Sequence, residues 1–379
     1  MVAGPIKVIQ MLPELEEGGV EQGTLDLGKY LVKNGHTSMV ISQGGRMVPR
    51  LEKDGGGHIT WRYIGEKSPR SLMYIIPLRR LLIKERADIL HLRSRVPAWV
   101  GYLAWKSLPV EKRPRLVTTF HGFYSINKYS EVMTKGEKVI AVSKAVAEHI
   151  KNTYRISQKK IVVILRGFDE KLFNPDIVSD NRIWALKKRW GLPESAFPVI
   201  MFPARLTRLK GHDLFLKSLA RMIHLPWTAV CAGDIDEKSS YTALLKNMLF
   251  NLKLEDRVKF VGHCDDMPAA LKLSDVVISA SKSPESFGRT VVEAQAMGKP
   301  VIAPAHGGSL ETVLDKKTGW LFKPGDSEEL TDALRRAISD KRLRESFGNF
   351  GRKWVSKNFA SKKMCKETVD LYRRMLMVS

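Results

Sequence analysis

The sequence predicts an α/β protein built as two doubly wound domains facing a central cleft. Three observations carry that expectation. The chain has 379 residues, more than one hydrophobic core usually fills. Short apolar runs alternate with helical patterns along its length, the signature of parallel strands joined by crossover helices. The alternation starts afresh after a proline-bearing stretch, Leu172 to Pro198, which reads as a linker with one short helix, Arg182 to Trp190. Expected boundaries are 1–175, 176–355 and a terminal helix over 356–379.

In the first half the strands expected are Ile6 to Leu12, Thr37 to Ser42, Ile59 to Ile64, Ile89 to Arg93, Leu116 to Phe120, Val139 to Val142 and Ile161 to Leu165, with helices at Glu21 to Lys33, Leu72 to Glu85 and Lys144 to Thr153. Ligands of such sheets sit at the carboxyl ends of strands. After the first strand, Gly18-Gly19 directly precedes a helix and can bring backbone amides to a phosphate. After the fifth, His121-Gly122 places an imidazole at a strand end, where it serves either as a hydrogen-bond donor to a substrate hydroxyl or as a structural histidine. Neither G-x-G-x-x-G nor G-x-x-x-x-G-K-[ST] occurs, which removes the dinucleotide and P-loop readings.

In the second half the strands expected are Val199 to Phe202, Thr228 to Ala232, Val258 to Val261, Asp275 to Ser279 and Val301 to Ala303, with helices at Asp213 to Met222, Tyr241 to Asn251, Met267 to Lys272 and Phe287 to Met297. A short strand falls within Lys317 to Gly325, and a basic helical region runs from Leu330 onward. The first of these strands leads into Arg205 and Lys210, a planar fork of donors and a compact charge that together suit a diphosphate. The fourth leads into Ser283 to Pro300, where Pro284 and Gly288 mark the turn into a helix and Gly298 and Pro300 its end. The first amides of that helix suit an anion. Glu285 and Glu293 stand eight residues apart around the helix start. For these two alone, a ligand site and a pair of solvated charges account for the pattern equally well.

Composition narrows the function. The net charge of +23 is shared by both halves, with 29 Lys and Arg against 16 Asp and Glu up to residue 175 and 34 against 24 beyond it. Such a field favours anionic partners: a membrane surface, a phosphorylated glycan, a nucleotide or a nucleic acid. No zinc-finger, basic-zipper or aromatic RNA-binding signature is present, so nucleic acid is not the expected partner. Three widely spaced cysteines suggest neither a disulfide framework nor a metal site. With no signal pattern and no apolar run near the ~20 residues of a membrane span, the expected location is cytoplasmic. The helix Leu72 to Glu85, with Arg79, Arg80, Lys84 and the following Arg86 beside Tyr74, Ile75, Ile76 and Leu81, is the candidate contact with an anionic inner membrane face, or equally a core helix with a charged outer side.

Taken together, Gly18-Gly19, His121-Gly122, Arg205 to Lys210-Gly211, Glu285-Ser286-Phe287-Gly288 with Glu293, and His306-Gly307-Gly308 to Glu311 resemble, over nearly the whole chain, the family-four retaining glycosyltransferases of the GT-B fold, lipopolysaccharide-core type. The resemblance implies two Rossmann-like domains, with the last helix crossing back to the first. It implies that a hexose-type sugar passes from a nucleotide-diphosphate donor, UDP- or GDP-linked, to a glycan or lipid-linked acceptor of the cell envelope. Glu285 with the backbone of Phe287 and Gly288 would hold the sugar. Gly18, Gly19, Arg205, Lys210 and the amides of Arg289 and Thr290 would hold the diphosphate. Glu293 would take the ribose diol and His121 the transferred sugar. Ala204 departs from the glycine usual before the arginine. No metal and no cofactor are implied, and the catalytic set is His121, Glu285, Arg205 and Lys210. A nucleotide-sugar epimerase, which can share this architecture, and a basic nucleic-acid-binding protein are the rival readings.

Overall fold

The computed structural model describes residues 4–16, 18–193 and 197–377. Residue contacts divide the chain into Met1–Gly167 with Ser361–Ser379, and Phe168–Ala360.

The first unit holds seven strands: β1 (Lys7–Met11), β2 (Thr37–Ser42), β3 (Gly57–Thr60), β4 (Ile89–Leu92), β5 (Arg115–Phe120), β6 (Lys138–Ala141) and β7 (Ile161–Val163). They form one sheet in the order β3-β2-β1-β4-β5-β6-β7, parallel throughout, with Val8 opposite Ser38 on one side and Ile89 on the other. The second unit holds β8 (Val199–Pro203), β9 (Thr228–Ala232), β10 (Val258–Gly262), β11 (Val276–Ile278), β12 (Val301–Pro304) and β13 (Gly319–Phe322). Their order is β10-β9-β8-β11-β12-β13, again all parallel. Both are Rossmann-like sheets covered by helices. Strand order reverses between β1 and β4 and between β8 and β11, and at such switch points the loops leaving adjacent strands diverge and leave a crevice for a ligand. The loop carrying Lys210 leaves β8 and the loop carrying Glu285 leaves β11.

The terminal helix Ser361–Met377 belongs to the first unit. Its Cys365, Val369, Leu371 and Tyr372 join Ile6, Val8, Leu27, Leu31 and Ile89 in one buried cluster. The Tyr372 hydroxyl lies 2.6 Å from His91 Nδ1. All three cysteines are buried and unpaired.

Several elements differ from the sequence reading. Residues 61–64 form a turn closed by Ile64 N–H to Trp61 O at 3.0 Å, not a continuation of β3. Ile64 is apolar because it plugs the core, being fully buried, and not because it pairs in a sheet. The helix expected from Leu72 begins as a 3-10 turn, Pro69–Tyr74, and becomes α-helical over Ile75–Glu85. Pro77 fits there because the first turn has no intrahelical use for its missing N–H. Arg95–Lys106 is a helix absent from the sequence reading: its buried Pro97, Ala98, Val100, Gly101 and Ala104 lie on one face, but Pro97 and Gly101 are poor helix formers and read as breakers. The stretch Leu172 to Pro198 is no free linker where it is described. Arg352 Nη2 reaches Asn174 at 2.9 Å and Asp176 at 2.7 Å, Lys272 Nζ donates to Val178 O, and Arg182 grips both oxygens of Asp266 at 2.8 and 2.6 Å. Residues 168–193 are thereby fastened to the second unit.

One buried group sets an acid limit on stability. His212 is fully buried, stacked on Phe202 at 4.2 Å between centroids, and burial lowers its pKa from 6.5 to about 4. The unfolded chain therefore binds the extra proton first. Stability linked to this group is complete above about pH 6.5 and falls as the pH drops toward 4, by on the order of 3 kcal/mol in all. His212→Phe is expected to flatten the decline of urea-unfolding free energy between pH 6.5 and 4.

Candidate active site

The site in the second unit is assembled by close backbone approach. Gly211 adopts φ +75°, and a Cβ there would stand 2.1 Å from the carbonyl oxygen of Ala280, so the turn after β8 lies directly on the end of β11. Lys282 N–H bonds Leu209 O at 2.8 Å and stitches the two loops together. This contact delivers Lys210 to Glu285, with Nζ to Oε1 at 2.7 Å. The Ser281 hydroxyl donates to the same carboxylate oxygen. Burial pushes the Glu285 carboxyl up, but the Lys210 ammonium, the Ser281 hydroxyl and nearby His306 outweigh it, so the group sits below its ordinary value and is ionised.

A second turn buttresses this one. Gly308 N–H bonds Glu285 O at 2.8 Å, and a Cβ on Gly307 would stand 2.5 Å from that same oxygen. His306 Nε2 lies 3.0 Å from Ser281 O. The His306-Gly307-Gly308 motif therefore shapes the loop that carries Glu285.

The helix Arg289–Ala296 starts after Gly288 in the left-handed region, φ 80° and ψ 53°, with no side chain capping its first amides. Phe287 is buried and packs edge-on against Phe359 at 5.6 Å, which anchors the turn. Gln295 donates to Thr312 O at 2.9 Å from the far side of the helix. Glu293 is buried, and its Oε1 takes a 2.6 Å bond from Arg289 Nε. Burial raises its pKa, and Arg289 offsets that only in part. From the sequence, Arg289 was expected to act through its backbone alone. Its guanidinium in fact supplies one of the donors that a buried Glu293 requires. Lys210, Glu285 and Thr290 line one small pocket with Ala204. Arg205 is exposed on the same loop.

The first unit brings Gly19 and His121 together through a residue the sequence reading passed over, Arg166. Its Nη2 lies 2.6 Å from His121 Nδ1, and a Cβ on Gly19 would stand 2.1 Å from its Nη1. The backbone freedom of Gly18 is also used, at φ +153°. Burial, then Arg166, Arg93 and His91, holds the His121 imidazole well below its usual pKa. His121 Nε2 is buried without a partner. In the sequence Arg166-Gly167 directly follows the expected strand Ile161 to Leu165 as His121-Gly122 follows Leu116 to Phe120, and that parallel was the available signal, although β7 itself ends at Val163. Ser281 had none.

These loops, on these two sheets, match known proteins along the whole chain. The family described as glycosyl transferases group 1 matches residues 183–354, and glycosyltransferase family 4 matches 17–172. A crystal structure of a glycosyltransferase from Rickettsia africae is 34% identical, covers 99% of this chain and 100% of its own, and superposes with a TM-score of 0.90. The chain belongs to the group 1 glycosyltransferases. Among curated relatives of this glycosyltransferase is the N-acetyl-alpha-D-glucosaminyl L-malate synthase of Bacillus anthracis, 26% identical over 93% of this chain and 92% of the relative. Anabaena HepE, solved in complex with UDP-glucose, shares the GT-B fold at a TM-score of 0.81 and 24% identity, covering 99% of this chain and 100% of its own.

Proposed function

We propose that this glycosyltransferase moves a hexose-type sugar, with retention of anomeric configuration and without a metal, from a UDP- or GDP-linked donor to a glycan or lipid-linked acceptor in cell-envelope polysaccharide or lipopolysaccharide synthesis. The observation that carries the reading is the Lys210–Glu285 pair at 2.7 Å, set beside an uncapped helix N-terminus. Transfer breaks the bond from the sugar's anomeric carbon to a diphosphate oxygen and forms one to the acceptor oxygen. The acceptor's proton passes to the leaving diphosphate on the same face. Negative charge grows on that diphosphate, where Arg205, Lys210 and the amides of Gly19, Arg289 and Thr290 stabilise it. Lys210, held by Glu285, together with Arg205 and a helix end, does the work a divalent ion would otherwise do. Glu285 accepts hydrogen bonds from sugar hydroxyls and orients rather than attacks, Glu293 takes the ribose diol, and His121 holds the transferred sugar.

The acceptor side rests on surface chemistry. Leu72, Met73 and Ile76 are 44, 61 and 60% exposed, beside Arg79, Arg80 and Lys84. Such a face suits peripheral binding to an anionic inner membrane at roughly 1 kcal/mol per nearby cation. No described helix is long and apolar enough to cross a membrane. Flotation with vesicles should rise with their anionic lipid content, and flotation indifferent to it would remove this part of the proposal. For the chemistry, proton NMR of the product glycoside should show the donor's anomeric configuration with EDTA present. An inverted product, or isomerisation of the donor with no acceptor added, would overturn it.

A further inference from the structure

We propose that Arg166 is the positioning residue of the first domain's sugar contact: its guanidinium holds His121 as the uncharged ring with the proton on Nε2, so that the site offers a sugar oxygen one donor and no charge. The inference rests on the transfer reading above only for what Nε2 meets.

The chemistry of the pair leaves one arrangement. A guanidinium has N–H donors and no acceptor, so at 2.6 Å from Arg166 Nη2 the His121 Nδ1 must present its lone pair. The single ring proton is then on Nε2, and that atom is buried without a partner in the protein. A buried donor left unpaired is costly, and a ligand oxygen is the partner that recovers the cost. Gly19 contributes by what it lacks, because a side chain there would occupy the place of Arg166 Nη1. This gives the second glycine of Gly18-Gly19 a task separate from phosphate contact.

Burial and the cations around the ring favour the neutral state, against one nearby acid, Glu21. Arg166 reaches the ring from just past the end of β7, Arg93 and His91 from the end of β4, and the Tyr124 hydroxyl accepts the His121 backbone N–H at 3.4 Å. Glu21, whose carboxyl burial pushes up against the pull of Arg166, completes the set on the helix Gly19–Lys33. Arg93 is itself buried, with Nη1 on Gln10 Oε1 at 2.8 Å, so its charge is fixed in place. A charged imidazole would add a third cation to this group.

The test reads the ring itself. In ¹⁵N-histidine-labelled protein, the His121 signals should show a protonated Nε2 and an unprotonated Nδ1 unchanged from pH 5.5 to 8.5. Arg166→Met should give mixed tautomers and a titration moved back toward 6.5, and should lower kcat by about tenfold with little change in donor KM. Arg166→Lys, which also only donates, should restore the tautomer and most of the rate. A wild-type ring protonated on Nδ1, or one titrating near 6.5, would overturn the proposal even if Arg166→Met failed to fold. A folded Arg166→Met with the wild-type spectrum would overturn it too. The spectra need no substrate, so loss of the transfer reading with the tautomer as expected would count against the reaction and not against Arg166.

Discussion

Lys210→Ala is expected to lower kcat at saturating donor by about 10² to 10³, the cost of removing one preorganised donor from a developing anion. The substitution acts twice. On the proposed reading it strips a cation from the leaving diphosphate, and it releases Glu285, whose carboxyl would then be governed by burial with Ser281 and His306 to oppose it. The Glu285 pKa should therefore move upward, so activity that remains should fall off in mild acid where the wild type stays flat. Lys210→Arg should retain more activity than the alanine variant, because it keeps the charge and alters only its shape. Steady-state kinetics from pH 5 to 8 check all three statements. Full activity in Lys210→Ala would remove this lysine from the mechanism.

Gly211→Ala should be the most damaging of the glycine changes near the site. Its Cβ would stand 2.1 Å from a backbone oxygen at a φ of +75°, and neither Ala280 nor the turn can give way without separating Lys210 from Glu285. A loss of about 3 kcal/mol or more is expected, roughly 6 to 12 °C for a domain of this size. Gly191→Ala is the matched control, with φ +57° but no atom within 4 Å of the added carbon, and should cost only about 1 kcal/mol. Calorimetric melts of the two variants separate strain from collision. If both lost the same stability, close approach at Gly211 would not be what builds the site.

Strands were legible where β-branched and apolar residues run without interruption, as in Val199–Pro203 and Thr228–Ala232. Parallel strands buried on both faces need no alternation, and none was required to find them. Arg95–Lys106 was hidden for another reason, since Pro97 and Gly101 stand inside its buried face and read as helix breakers. Of the site, the residues flanked by glycine were legible, because a tight turn at a strand end leaves a mark in the sequence. Arg289 as the partner of Glu293, Ser281 as the partner of Glu285 and Arg166 as the partner of His121 were not. The i, i+4 spacing of the first and third-dimension closeness of the last are common to many pairs that never touch, and only the packed chain selects among them.

The central claim is that the second domain's site takes a nucleoside diphosphate sugar. Thermal shift of the full chain with UDP, GDP and ADP and their hexose conjugates measures this, since a cognate ligand stabilises by mass action. UDP-glucose, which HepE holds in its crystal structure, is the first donor to try. One nucleotide family should raise the midpoint with an affinity in the micromolar range, without added metal, and the shift should shrink sharply in Lys210→Ala. No shift with any nucleotide, or an equal shift in Lys210→Ala, would contradict the assignment.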